Sequence, residues 1–303
     1  MSVPNHAPMP GRPVPPMFSP GRIWTLAAAT FTQLVRMRTF YFLLFFAVLV
    51  FGMSNVNLLY TAEQQLSTIR GTSFGAMWLF AWLFAVTATA VVIPRDIEDR
   101  TLYTILSKPV PRVEYLLGKF FGVLLVITVA LGAMLLLSGL VLEFRKAGLI
   151  AETRSYLEQS PDLTPADIQG QLDAISSEGF HPRLFTAAWI ILLQAAVMAA
   201  ATILVSTFAS SSLFTIIVGI AFFLIGHGHR IAVDYWSEGG ATNNWLAWAA
   251  KVVPDFHIFN VHEKIVAGST ASPLVMAEIT AYAGVYCLVY LLLGWYMFSD
   301  KEF

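Results

Sequence analysis

Residues 94–119, PRDIEDRTLYTILSKPVPRVEYLLGK, stand between two long runs of almost purely apolar residues. In 26 residues they gather four carboxylates, five basic side chains and three prolines. Pro94 suits the first turn of a helix, where its missing N–H costs nothing. Asp96, Glu98 and Asp99 follow where anions meet the positive end of a helix dipole. Asp96 and Arg100 have the i, i+4 spacing of a pair on one helix face. Leu102, Tyr103, Ile105 and Leu106 give a narrow apolar face, Lys108 suits a helix C-terminus, and Pro109 and Pro111 stop the helix. Arg112 and Glu114 then open a second helix that runs through Gly118 and Lys119 into the next apolar run. The stretch therefore predicts a helical hairpin with a proline-stiffened turn. A chain reversal needs only a handful of residues, as Ala209–Ser212 shows, so a hairpin of this length reads as a surface built to touch another protein.

The rest of the chain sets that hairpin against a membrane. Of 303 residues, 57% are hydrophobic and only 12% charged. A soluble domain carries roughly a quarter charged residues. The abundant aromatic residues suit membrane–water interfaces. A formal net charge of −1 shows no footprint for nucleic acid. The one cysteine, Cys287, permits no intrachain disulfide. A helix needs about 20 apolar residues to cross the hydrocarbon core, and lipid leaves the backbone no other way to satisfy its polar groups. Six segments qualify: residues 40–59, 75–93, 120–142, 184–208, 213–233 and 274–298. The fifth is uninterrupted only to Ile225. The expected fold is an all-α integral membrane protein with six transmembrane helices.

Ahead of the first span, Arg22–Phe40 mixes Ile23, Trp24, Leu26, Phe31, Leu34 and Val35 with Arg22, Thr25, Thr32, Gln33, Arg36 and Arg38. This predicts an amphipathic helix lying in the interface; a plain extension of the first span is the alternative. Residues 1–21, with seven prolines among the first twenty, read as a disordered cytoplasmic tail, and residues 22–303 as one transmembrane domain. The density of cations in residues 94–119 places both termini inside. Glu143–Arg183 is then an external loop, with Thr164-Pro165 opening a short helix to about Ser176. Gly226–Pro273 is a second external stretch holding short helices.

The ordered set Glu98-Asp99-Arg100-Thr101-Leu102, Leu106-Ser107-Lys108-Pro109-Val110-Pro111-Arg112 and Leu117-Gly118-Lys119 resembles the cytoplasmic segment of ABC-2 type ABC transporter permeases of the NosY-like and gliding-related export kind. The amphipathic helix is similar to the family's elbow helix. Val253-Pro254-Asp255-Phe256 and the charged end Phe298–Phe303 also resemble family segments. Arg100 departs from the pattern, since many members carry glycine there. The resemblance implies a coupling-helix hairpin that docks a separate ABC ATPase subunit. Its docking residues would be Glu98, Asp99, Arg100, Thr101, Leu102, Lys108, Pro109, Arg112, Gly118 and Lys119. It implies a second permease copy or paralogue, the bacterial cytoplasmic (inner) membrane, and export. It implies no catalysis by this chain, and ATP and Mg on the partner.

The residues agree with that division of labour. Gly118-Lys119-Phe120 is no phosphate-binding loop, and no nucleophile elbow is present. Four histidines, His227, His229, His257 and His262, could bind zinc, copper or haem. None has the i, i+4 partner or supporting carboxylate pattern of a metal site, so no metal or cofactor on this chain is expected. A histidine-based metal-binding or redox protein, and a scaffold anchoring a cytoplasmic complex, are the rival readings. If the fifth span continues to Val233, then His227, His229 and Arg230 lie at membrane depth and face protein or water. They are the candidates for a substrate path. If it ends near Ile225, they flank a re-entrant segment. Thr87 and Thr89 are expected to return hydrogen bonds to their own helix.

Overall fold

The computed structural model describes residues 19–53, 61–98, 111–158, 164–209, 211–238 and 253–299. The helices are α1 (Pro20–Val35), α2 (Arg38–Met53), α3 (Ala62–Glu98), α4 (Arg112–Glu158), α5 (Pro165–Ser177), α6 (Arg183–Phe208), α7 (Ser212–Glu238), a 3₁₀ turn (Phe256–Asn260), α8 (Val261–Val266) and α9 (Pro273–Ser299). Among the described residues every regular element is helical. Residues 1–18, 99–110 and 300–303 lie outside them. So do Asp99, Arg100, Thr101, Leu102, Lys108 and Pro109 of the expected docking set, and the Asp96–Arg100 pair with them.

Helix α6 is the axis of the bundle. It packs on α3, α4, α7 and α9, and an unbroken buried run covers Gln194–Ile203. Alanines at 195, 196, 199, 200 and 201 let the neighbouring helices approach closely. Ring contacts set the directions. Phe40 lies 5.5 Å from Phe84, while Phe51 clusters with Leu66 and Ile69, so α2 runs antiparallel to α3. Trp82 stacks on Phe223 at 4.0 Å and Trp78 lies 5.9 Å from His227, so α7 does too. Ser19 and Phe298 both bond to the first turn of α4, so both described ends of the chain lie at one end of the bundle.

Among the described residues, four helices are long and apolar enough to cross a membrane: Ala62–Asp96, Arg112–Tyr156, Arg183–Phe208 and Pro273–Phe298. The α1–α2 pair, bent by 66°, makes a fifth if it counts as one span, and the apolar part of α7, Ser212–Gly228, is shorter.

Several expectations need correction. Pro94 does not begin a new helix: α3 passes straight through it to Glu98. A proline inside a helix leaves the carbonyl four residues back without its N–H partner. Membrane bundles tolerate this where neighbouring helices surround the site, and Pro94 is buried here. The expected loop at Glu143–Arg183 is helical for its first part, since α4 continues to Glu158. Glu143 and Lys146 form an ion pair at 2.6 Å on that extension, and Leu142 and Leu149 pack against Ile175 of α5. Arg70 is 1% exposed. Its guanidinium bonds the Glu178 carboxylate at 2.7 Å and carbonyl at 3.1 Å, which pins the α4–α5 hairpin to α3. Thr87 and Thr89 do bond their own helix, to the carbonyls of Leu83 and Ala85.

Helix α1 carries Ile23, Ala27, Thr30 and Leu34 inward and leaves Trp24 64% exposed. Its buried face lies on α4 at Gly118 and Gly122. A Cβ on Gly118 would stand 2.4 Å from Leu26 Cβ, and one on Gly122 would stand 2.5 Å from Thr30 Cβ and 2.9 Å from the Ala27 carbonyl. Two glycines four residues apart bring the backbones together as small residues do in membrane helix pairs.

Candidate functional site

The first two turns of α4 carry a dense set of polar links among the described residues. Glu114 is fully buried. Its Oε2 accepts from Arg22 Nε at 2.7 Å and its Oε1 from Arg22 Nη2 at 2.9 Å. Oε1 also accepts from the Ser19 N–H at 2.7 Å, so a carboxylate sits at the N-terminus of α1, where free donors and the helix dipole favour it. One turn along, Lys119 Nζ meets Asp96 Oδ2 at 2.7 Å, with both side chains 7% exposed. The Tyr115 hydroxyl donates to the same Asp96 oxygen at 2.7 Å. Lys119 also donates to Gln33 Oε1 at 3.4 Å. Arg112 Nη1 donates to the Phe298 carbonyl at 2.6 Å, and its guanidinium lies 5.8 Å from the Phe298 ring. Tyr115 also stacks on that ring, 5.9 Å between centroids.

The junction thus joins α1, α3, α4 and α9 by charge-assisted bonds in a largely dry setting. Each of its two carboxylates is paired with a cation, and Arg112 holds a carbonyl, which suits a structural link better than proton transfer or nucleophilic attack. It also lies where α3 and α4 lead into the 99–110 segment. Of the expected docking residues, Arg112, Gly118 and Lys119 are described, and all three make contacts inside the chain. Gly118 and Lys119 are buried. The Glu98 side chain lies outside the described residues.

The pairing partners escaped the sequence reading because Arg22 and Glu114 are 92 positions apart, and Lys119 and Asp96 belong to different helices. One signal was available. Glu114 and Lys119 sit at the edge of an apolar run, where an ion that lacks a partner is expensive.

The other end of the bundle holds the histidines. Helix α7 runs on past Ile225 and carries His227 with it, while its apolar part, Ser212–Gly228, is shorter than the four candidate spans. The His227 ring lies 4.2 Å from Phe223, 5.6 Å from Phe256 and 5.9 Å from Trp78. The side chains of His229 and Arg230 lie outside the described residues. His257 is exposed and takes a hydrogen bond from Asn260 at 2.8 Å. Among the described residues no three metal-ligating side chains come together.

His262 is 4% exposed on α8, and its Nδ1 lies 2.7 Å from the Phe259 carbonyl. Burial pushes its pKa below the ordinary 6.5; the Phe259 carbonyl and Glu263 oppose this in part, and His227 adds to it. The folded chain therefore holds the ring neutral while the unfolded chain protonates near pH 6.5. The resulting stability is present above that pH and is lost as the pH falls through it. Melting temperature in detergent should drop between pH 7.5 and 5.5, and His262→Phe should flatten that slope. An unchanged slope in the variant rules out His262 as the source.

A family model of the ABC-2 family transporter proteins matches residues 47–296. The chain belongs to this family. The match takes in α3, α4, α6, α7 and α9, and so the α4 side of the junction, while α1 precedes it. No curated protein sequence matches the chain. An ABC-2 transporter protein is the membrane component of an ABC transporter and works with an ABC ATPase subunit. The multi-pass apolar helices of this one agree with that place.

Proposed function

We propose that the chain is the permease subunit of an ABC exporter, driven by a separate ATPase that docks on residues 98–112. The observation that carries the reading is the wired junction on α4: the proposed docking segment leads directly into it. Closure of two ATPase subunits would move that segment. The Asp96–Lys119, Glu114–Arg22 and Arg112–Phe298 links would carry the displacement into α3, α1 and α9 together. A bistable bundle biased in this way can expose its interior to either side of the membrane.

The arrangement behind this reading has six crossings in alternating direction: α2, α3, α4, α6, α7 and α9. Helix α1 would serve as the elbow helix lying on the membrane surface, with both termini in the cytoplasm of a bacterial cell and the membrane being the inner one. The 66° bend between α1 and α2, the exposed Trp24 and the exposed Arg36 and Arg38 support that role. A second copy or a paralogue would complete the translocation unit. ATP and Mg would bind the partner alone.

Purification of the tagged chain from native membranes should bring down a protein with a nucleotide-binding loop. Glu98→Ala should reduce that co-purification several-fold while membrane insertion stays normal. Recovery of the ATPase at the parent level by the variant would remove residues 98–112 as the docking surface. Absence of any ATPase would favour a scaffold.

A further inference from the structure

One face of α3 carries Gly71, Gly75 and Trp78, spaced by four and three residues. Toward the end of the bundle away from the junction, this face walls a cavity of about 320 Å³, closed by α8 through His262 and Glu263. Gly71 and Gly75 both line it and have open space where a side chain would stand, so two missing side chains help give the cavity its room.

The groups that meet this space share one character. His262 is 4% exposed, and its Nδ1 lies 2.7 Å from the Phe259 carbonyl, which can only accept. The neutral ring therefore donates from Nδ1 and presents Nε2 as an acceptor. That Nε2 makes no hydrogen bond among the described residues. An acceptor without a partner on a side chain this buried is costly, and His262 lines the cavity. Beside it stands Glu263, exposed and the one charged residue among those described along the wall. Its carboxylate adds a negative charge and further acceptors. Trp78 Nε1 already donates to Gln194 Oε1 at 2.9 Å, so the indole offers the cavity electron-rich carbon and no donor. The Ser67 hydroxyl can serve either way, and Phe74 and Val266 complete an apolar wall.

Acceptors, one negative charge and an aromatic ring together suit a cation that donates hydrogen bonds. An anion would meet the Glu263 carboxylate with no cation to offset it. A metal ion would need more ligands, and among the described residues no third His, Cys, Asp or Glu joins these two. A protonated amine on an apolar body answers each group: its N–H bonds reach His262 Nε2 and the carboxylate, its charge suits Glu263 and Trp78, and its body packs on Phe74 and Val266. The cavity is of a size that admits a small ligand.

We infer that the cavity between α3 and α8 binds a protonated amine carried on a small apolar body, held by Glu263, His262 and Trp78. The cavity is separate from the docking segment and the assignment is of binding alone, so it stands whether or not an ATPase associates with the chain.

The intact protein in phosphatidylcholine nanodiscs is titrated with phenethylammonium, with phenylpropionate as an anion of similar shape, and binding is read by saturation-transfer NMR against empty discs. Phenethylammonium should bind saturably and phenylpropionate should not. Glu263→Gln should weaken phenethylammonium binding about tenfold or more, since it removes the charge and keeps the shape. Gly71→Leu should abolish binding by filling the space. Both variants should melt at or above the parent temperature, because Glu263 is exposed and leucine favours a helix interior over glycine. A repeat in discs containing phosphatidylethanolamine separates the two sources of such an amine. Unchanged affinity assigns the site to a free amine, competitive loss assigns it to the lipid headgroup, and either result keeps the site. No saturable binding of phenethylammonium, equal binding of phenylpropionate, or unchanged affinity in either variant overturns the inference.

Discussion

Gly122→Leu should unseat α1 from α4. A Cβ at this position already lies 2.5 Å from Thr30 Cβ and 2.9 Å from the Ala27 carbonyl, and the second of these is backbone and has nowhere to go. Overpacking a well-packed interface costs roughly 1–3 kcal/mol where the surroundings can shift. The loss here should reach or exceed the top of that range, because a whole helix must lift by more than a methyl group's width. Arg22 and Gln33 leave with α1, so Glu114 and Lys119 lose partners as well. Gly118→Leu meets Leu26 in the same way, at 2.4 Å, but against a side chain that has some room to turn. Its effect should be smaller. Gly132, on the same helix with nothing within 4 Å, is the control. Melting curves of the three leucine variants in detergent order them: Gly122 lowest, then Gly118, with Gly132 near the parent. Equal melting temperatures for the Gly122 and Gly132 variants would refute the close packing of α1 on α4.

The second large effect belongs to Lys119. Removing one partner of a buried ion pair leaves an uncompensated charge and costs about 3–5 kcal/mol. Lys119→Met removes the cation that meets Asp96 Oδ2 and leaves the Tyr115 hydroxyl on that oxygen, so it should sit in that range. Replacing both, as in Asp96→Asn with Lys119→Met, removes the charges together and should recover much of the loss, because apolar or neutral substitutes for a buried pair are often tolerated. The double-mutant cycle gives the coupling directly. A double variant no more stable than Lys119→Met alone would mean that the two side chains do not act as a pair. The recovered double variant has a second use. On the proposed function, it should insert and fold yet transmit poorly between α3 and α4, so turnover by the partner ATPase should lose its response to substrate.

The two ends of the bundle differ in how far they could be read in advance. The start of α4 at Arg112, just after Pro111, and the break at Ala209–Ser212 follow from prolines, charges and serines in the sequence, while the predicted hairpin turn lies outside the described residues. The 13-residue helix starting at Pro165 follows from local N-terminal chemistry, and the two threonine hydroxyls of α3 from helical geometry. Pro94 misled for the opposite reason. Its helix-breaking tendency is a local property, and the packed bundle around it overrode that tendency. The burial of Arg70 is likewise a tertiary matter: Glu178, from a distant hairpin, lets it be buried.

Apolar run length and the position of Gly, Pro and charge were enough to say that this is an all-helical membrane protein and where its polar insert lies. Those features act within about one helical turn, or through the solvent each segment must face, and both are written in linear order. Which charge meets which was a matter for the folded bundle alone. Glu114 reaches Arg22 across 92 positions, and Lys119 finds Asp96 on another helix. These pairings depend on the helix directions and on glycine-sized gaps such as Gly118 and Gly122, and no local pattern encodes the distance between helices that are neighbours only in space.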